Sequence, residues 1–424
     1  MRTSKFLFAM WEGGGTGPPE LAVVGRLVAR GHAVTVLGDP SLSQDVGRAG
    51  ASFVPWRDAP HRKTRTAESE IVKDWAALTP LGAFARARDR HAFRPAHLFA
   101  REVRELFDRE GFDGIASDAM LFGALVGAEA TRAPFAAMIP MTSFLPEPDR
   151  PPPGLGLMPA RGLLGRLRDR ALYTLGDALL WRSCLPYLNQ ARAAVGLSPV
   201  DHPLEQITRA DRVLVQTSPW FDFRATPRSG NVRYVGPELG DPSWVAPFDA
   251  PWSPANRDPL VLVAFSTTFM GHAALLERVI RALSPLAVRG VVTTGPGLDP
   301  RTLRAPPHIA VRASAPHAAI LREAALVITH AGHGTVIRTL ANGVPLIAMP
   351  MGRDQSDNAA RVVAAGAGIW LSPRSSETTL RSAVERALSD SSLREGATRA
   401  RDILAHERAG DRAVEELEAL VRGA

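Results

Sequence analysis

Short apolar runs alternate with helical spacings along this chain, and the whole alternation occurs twice. Lys5–Met10 suits a strand buried on both faces, and a glycine-rich turn with Pro18-Pro19 follows where a helix can begin. Leu21, Val24, Leu27 and Val28 recur at helical spacing, Gly31 stops that helix, and Ala33–Leu37 reads as the next strand. Strand, helix and strand in this order require a crossover and hence a parallel sheet. Further strands are expected at Gly114–Ser117, Phe135–Pro140, Arg212–Gln216 and Val232–Val235. From Gly236-Pro237 to Pro259 the chain is rich in Pro, Gly, Asp and Ser and has no periodicity, as in an interdomain linker. A second series opens with Leu260–Phe265 and continues at Val291–Thr294, Ile309–Val311, Leu326–Thr329, Pro345–Met349 and Gly368–Leu371. A length of 424 residues also suits two cores better than one. The expected fold class is therefore α/β, with two doubly wound Rossmann-like domains facing a cleft. Their expected bounds are 1–237 and 260–424, joined by a linker at 238–259, with the last helices free to pack back on the first domain.

Two regions interrupt the first series. Residues from about 60 to 110 and from about 160 to 195 look helical and are rich in Arg and Leu, and Pro146–Pro159 between them must be an irregular loop. The charged run Ala85–Arg94 reads as a solvated helix face, with His91 and His97 at the surface. The net charge of +7 raises the question of nucleic acid. Only three of the 50 basic residues are lysine, however, and the arginines are spread along the whole chain rather than clustered into a footprint. The single cysteine, Cys184, excludes a disulfide framework and a multi-cysteine metal site and points to a reducing compartment. No targeting segment or membrane-length apolar run is visible, so the expectation is a cytoplasmic protein without integral membrane association.

The segment that carries most chemistry is Thr329-His330-Ala331-Gly332-His333-Gly334-Thr335, followed by Gly343-Val344-Pro345 and the run from Pro350 to Arg361. A buried strand ends at His330, small residues make a tight turn, and a helix begins near Gly334. Such a turn aims backbone N–H groups and a helix dipole at one spot, which suits phosphate. Asp354 and Gln355 follow the next strand, on the same rim of the sheet, where a carboxylate beside an amide can engage sugar hydroxyls. Diphosphate and sugar sites on adjacent loops imply a nucleotide sugar.

The run from His330 to Arg361 resembles the donor signature of inverting GT-B-fold glycosyltransferases, a group that includes plant natural-product and bacterial macrolide and antibiotic enzymes. The resemblance extends over essentially the whole chain, through Val235-Gly236-Pro237, Phe265-Ser266-Thr267-Thr268 and Pro316-His317. It implies that His330, Gly332, Gly334 and Thr335 hold the diphosphate, helped by Thr267 and Thr268, and that Asp354 and Gln355 hold the sugar. It places Ser314 and Ala315 beside the base, where plant relatives carry a stacking Trp in place of Ser314. UDP-sugar relatives carry a ribose-binding glutamate eight places after the motif histidine. Arg338 stands there in this chain, which has no acceptor to offer and implies a dTDP-sugar.

In many relatives a histidine in the first turn deprotonates the acceptor and is oriented by an aspartate. Aligning Pro19 and Leu21 with that turn puts Thr16 at the histidine place, and a threonine hydroxyl is not basic enough. The aspartate aligns with Asp118, which would then be the base itself, with Glu12 as the alternative. No Asp-x-Asp pair occurs in the chain, so neither a metal nor another cofactor is expected. The acceptor is expected in the first domain, against Trp75, Phe84, Met141 and Phe144, and to be a small hydrophobic natural product. The proposed reaction class is transfer of a (deoxy)sugar with inversion, in a monomer or homodimer. A catalytically degenerate nucleotide-sugar-binding auxiliary protein and a nucleotide-sugar epimerase on the same fold are the alternatives.

Overall fold

The structure is a computed structural model that describes every residue except 1–2, 148–149, 225, 228, 242–244, 246–247, 254, 266–270, 408–410 and 424. Two parallel sheets form its two domains. The first contains β1 (Lys5–Ala9), β2 (Ala33–Gly38), β3 (Ser52–Pro55), β4 (Gly114–Asp118), β5 (Phe135–Ile139), β6 (Arg212–Val215) and β7 (Val232–Tyr234), in the order β3-β2-β1-β4-β5-β6-β7. The second contains β8 (Leu260–Ala264), β9 (Arg289–Thr293), β10 (Ile309–Arg312), β11 (Ala324–Thr329), β12 (Leu346–Ala348) and β13 (Gly368–Trp370), in the order β10-β9-β8-β11-β12-β13. In both sheets the chain runs outward from a central strand, then returns to its other side. This places a topological switch point between β1 and β4 and another between β8 and β11, where such folds bind ligands outside the carboxyl ends of the strands.

The strands are legible as apolar runs because both faces are covered. Phe6, Phe8, Ala116, Met138 and Leu214 of the first sheet pack against Val23, Val24 and Leu27 of the helix Gly17–Ala29. Leu7, Ala9, Ile115, Ala137 and Val213 face the opposite side, toward the helices Ala96–Glu110 and Phe122–Thr131. Each such buried Leu, Val or Phe contributes about 1.5–3 kcal/mol. The final helix, Arg412–Arg422, returns to the first domain, where Val414 and Leu417 join the same core as Val24. Glu418 there accepts from Arg30 at 3.1 Å and meets His32 Nε2 at 3.1 Å.

Three expectations need correction. The edge strand β3 was not anticipated from the sequence. The region expected to be helical from about 60 has no helix until the short turn Asp74–Ala76 and then Pro80–Ala87. Arg62 and Arg65 in that stretch are held instead by ion pairs, Arg62 to Glu70 at 3.1 Å and Arg65 to Glu12 at 2.7 Å. The run Ala85–Arg94 is not a solvated face: His91, Ala92 and Phe93 are buried, although His97 is exposed.

Loops at the carboxyl ends of the two sheets meet one another. Asp222, fully buried after β6, accepts from Arg150 at 2.7 Å in its own domain and from Arg361 at 2.6 Å in the other. These two guanidinium groups hold its carboxyl below the usual range despite burial. Asp357 accepts from the backbone N–H groups of Gly154 and Gly156, at 2.6 and 2.7 Å, and so anchors the proline-rich loop to the second domain. Thr217 Oγ1 lies 2.8 Å from His333 Nε2, and Arg353 Nε donates to Asp74 at 2.6 Å. The residues Asp357 and Arg361 at the end of the donor signature therefore fasten the domains together.

Candidate active site

Asp118 ends β4 at the first switch point and is 1 % exposed. Its Oδ1 accepts from the Met120 N–H at 2.7 Å and its Oδ2 from the Trp11 indole Nε1 at 3.0 Å. Each carboxylate oxygen retains a lone pair beyond these bonds. Burial pushes the carboxyl up to about 7, while the two hydrogen bonds hold it down. It is thus a carboxyl whose charge changes near neutral pH, which is what a general base requires.

The turn after β1 is built around the same group. An ideal Cβ on Gly13 would sit 2.5 Å from Thr16 Oγ1 and 2.8 Å from the Trp11 ring, so only glycine lets the turn close over them. Thr16 stands just before the helix Gly17–Ala29, and its buried hydroxyl has no hydrogen-bond partner among the described residues. Glu12 is engaged elsewhere: Oε1 accepts from Gly14 N–H at 3.1 Å, and Oε2 pairs with Arg65. Both oxygens of Glu12 are thus occupied within the protein, and this favours Asp118.

Sequence reasoning missed two residues here. Trp11 lies in an apolar run and reads as core, yet its N–H is bonded to Asp118. Glu20 is fully buried on the helix Gly17–Ala29, and neither of its oxygens has a hydrogen-bond partner among the described residues. Burial first, and the charge of Asp118 second, raise its carboxyl well above the usual range. Burial therefore favours the neutral form of Glu20, which lies within electrostatic reach of Asp118. Its only signal in the sequence is an acidic residue on an apolar helix face.

On the other side of the cleft, His330 follows β11 at the second switch point. A Cβ on Gly332 would come within 2.6 Å of His330 Nε2, so this glycine is required by the imidazole. Ala331 turns with φ of +67°, and the helix begins at His333. Its first amides have no intrahelical partner, while Thr335 N–H and Val336 N–H both return to Gly332 O at 3.1 Å. Burial first, and then the charges of His272 and Arg353, lower His330 to about 3. The ring is thereby held neutral, and its N–H can still donate to an ionised phosphate, a contact that is charge-assisted from the acceptor side. His333, rather than merely packing, makes the interdomain contact with Thr217. Thr267 and Thr268 lie outside the described residues.

Asn358 connects the His330 turn to Asp354. Its amide donates to Ala331 O at 3.0 Å and to Asp354 Oδ2 at 2.8 Å. Asp354 occupies the cap position of the helix Gln355–Ala364 but makes no side-chain cap bond. Burial raises its carboxyl and the Asn358 bond opposes that. Gln355 uses its carbonyl to accept from Met351 and Gly352 N–H, at 2.7 and 3.2 Å, which sets the loop geometry.

Arg338 does not face solvent. It donates to Gly334 O at 2.9 Å and Gly240 O at 3.2 Å and lies 3.6 Å from Asp241, whose carboxylate accepts from Ala318 N–H at 3.0 Å. This ties the start of the linker to the segment that follows Ser314 and Ala315. Ser314 is half-buried there, whereas the Ala315 methyl is in the core and leaves only its backbone to face a base. A cavity of about 230 Å³ opens nearby between the domains, with Pro296 and Asp241 opposite Gly14 and Pro18.

Phe84, Met141 and Phe144 are partly buried against the core that also supports Trp11 and Trp181. Trp75 is half-buried beside the Asp74–Arg353 pair. An aromatic series starts from the ring next to Asp118: Trp11 meets His91 at 4.3 Å and His91 meets Phe99 at 5.6 Å. Burial lowers His91 to about 4, so it stands neutral in this wall. Farther out, Trp181 lies 5.9 Å from Phe84 and 6.4 Å from Phe122.

Residues 277–420 match the family described as erythromycin biosynthesis protein CIII-like, C-terminal domain. The chain is 32 % identical to 4'-demethylrebeccamycin synthase of Lentzea aerocolonigenes, over 99 % of this chain and all of the relative. It is similar in structure to the glycotransferase of kitacinnamycin, with a TM-score of 0.77 at 21 % identity, over 99 % of this chain and all of that one. The glycosyltransferase VinC, solved in complex with dTDP, aligns with a TM-score of 0.68 at 16 % identity, over 99 % of this chain and all of that one.

Proposed function

Because the chain belongs to the natural-product glycosyltransferases of the GT-B fold, we propose that it transfers a deoxysugar from a dTDP-linked donor to a hydrophobic aglycone, without a metal and with inversion. The observation that carries this reading is the pairing of switch points. A carboxyl that titrates near neutrality ends β4 in one domain, and the His330 turn ends β11 in the other. Other loops at the carboxyl ends of the two sheets bring the domains together, through Thr217–His333 and Asp74–Arg353.

In this mechanism the Asp118 carboxylate takes the proton of the acceptor group as its lone pair attacks the anomeric carbon. The bond from that carbon to the diphosphate oxygen breaks, and its electron pair leaves with the nucleoside diphosphate. The His330 ring, the first amides of the helix His333–Ala341 and Thr335 receive the charge that develops on the leaving oxygen. Asp354 and Gln355 orient the sugar, with Asn358 fixing the carboxylate relative to the phosphate turn. Trp11 keeps Asp118 ionisable, and Thr16 is a bystander. Support for dTDP comes from Arg338, a donor-only side chain where a ribose 2′-hydroxyl would need an acceptor, and from the dTDP complex of VinC. The apolar wall of Phe84, Met141 and Phe144, with Trp75 nearby, supports a hydrophobic acceptor.

The test is incubation of the purified protein with several dTDP- and UDP-sugars and a panel of apolar aglycones. A glycoside mass with release of dTDP, and a product anomeric configuration opposite to the donor's, is the expected result. Donor binding without transfer to any aglycone would favour the auxiliary-protein alternative, and interconversion of the free donor would favour the epimerase.

A further inference from the structure

Eleven large apolar side chains are exposed among the described residues, and nine of them lie on 78–81 and 155–179. The helix Gly162–Leu179 carries most of these and is inverted relative to a helix of an ordinary globular domain. Its inner face is held by polar groups. Asp169 is buried and pairs with Arg168 at 2.7 Å, Tyr173 OH donates to Pro151 O at 3.3 Å, and Asp177 meets His202 at 2.8 Å. Its outer face carries Leu163, Leu167, Leu175 and Leu179 at multiples of four residues, beside Leu164, which is 82 % exposed. An apolar patch of this extent marks an interaction surface.

The charges on the same helix select the partner. Arg161, Arg166 and Arg170 are exposed and make no ion pair among the described residues. Both acids of the helix are already paired, Asp169 with Arg168 and Asp177 with Arg182 and His202. A two-fold contact with a second copy would set this patch against itself, arginine facing arginine. An anionic bilayer surface has the complementary charge, and leucines between arginines are the composition of a helix that lies in the headgroup region. No helix among the described residues is long and apolar enough to cross a membrane, which leaves an in-plane position.

We propose that the face of helix Gly162–Leu179 docks on anionic lipid, its leucines at the acyl boundary and its arginines on headgroup phosphates. Phe84, one turn beyond exposed Leu81, meets Trp181 just after the helix, so the docking face adjoins the acceptor wall. The delivery of a membrane-dissolved acceptor through this face rests on the acceptor reading above; the docking itself does not.

The experiment is sedimentation of the full chain with vesicles of pure phosphatidylcholine or of equimolar phosphatidylglycerol and phosphatidylcholine, a readout independent of turnover. Three arginines, each adding about fivefold near an anionic surface, predict a preference of roughly a hundredfold for the anionic vesicles, lost at high salt. Arg166→Ser with Arg170→Ser should reduce that preference at least tenfold. Leu164→Glu with Leu167→Glu should abolish pelleting without lowering the melting temperature, because both side chains are exposed. Equal partition into neutral and anionic vesicles, or no pelleting at all, would overturn the proposal. So would a wild-type oligomer that ignores vesicles and is dispersed by the Leu164→Glu, Leu167→Glu pair, since a second copy would then cover the face.

Discussion

Trp11 donates its indole N–H to Asp118 Oδ2 across 3.0 Å, and this bond joins the first turn of the chain to the end of β4. Gly13 makes room for the ring, and His91 supports it from the far side at 4.3 Å. A hydrogen bond to a carboxylate favours its charged form, whereas burial disfavours it. The balance of the two places Asp118 at about 7.

Trp11→Phe should therefore move the rate rather than simply reduce it. Without the donor, Asp118 ionises at higher pH, so kcat/KM falls at pH 7 and recovers as the pH is raised toward 9. A pH profile of transfer measures this. A loss of the same size at every pH would show that Trp11 only packs.

Glu20 affects stability in a pH-dependent way. Its folded carboxyl is raised, so its contribution to stability is complete below the unfolded value near 4.3 and is lost as the pH rises toward the folded value. Glu20→Gln removes that loss. The variant should gain in melting temperature over wild type at pH 7–8 and show little gain at pH 4. A gain that does not change with pH would mean that Glu20 is not a neutral acid in the fold.

His330 is a neutral donor, since burial lowers it to about 3. His330→Ala should weaken dTDP binding by about 1.5–3 kcal/mol, the scale of a hydrogen bond to a charged group, and slow transfer as well. Calorimetric titration measures the first effect. Activity in EDTA should be retained, and strict dependence on added magnesium or manganese would refute metal-free departure of the leaving group.

Arg338 sets the expectation for the nucleotide. It is bound to Gly334 O and Gly240 O and has no lone pair for a ribose 2′-hydroxyl. An unpaired buried hydroxyl costs about 1–3 kcal/mol, so dTDP should bind more tightly than UDP. Equal or tighter binding of UDP in a parallel titration would exclude this assignment.

The strands were legible because each is an apolar run covered on both faces, as with Leu260–Ala264. The strand β3 was not, being a four-residue edge strand that ends in Pro55 and is largely uncovered. The tight turn after β11 could be read from its small residues, since Gly332 answers to a steric demand of His330. The partners of Asp118 could not. Trp11 and Glu20 are 107 and 98 positions away in sequence, and only the parallel pairing of β1 with β4 brings their segment to it. The helical reading of 60–73 failed because tertiary ion pairs, Arg62–Glu70 and Arg65–Glu12, outweigh local propensity. The Arg- and Leu-rich stretch from about 160 was expected to be helical and is, over Gly162–Leu179, but which face is buried is decided by Asp169, Tyr173 and Asp177.

The central claim is that Asp118 deprotonates the acceptor, and Asp118→Asn tests it most directly because the amide keeps the shape and cannot take a proton. Turnover with a dTDP-sugar and a competent aglycone should fall by at least about 10²-fold, the scale of a lost general base. Donor affinity should stay near wild type, and the rise of kcat/KM through pH 7 should disappear. Turnover within a few-fold of wild type, with the pH profile unchanged, would contradict the account and direct attention to Glu12.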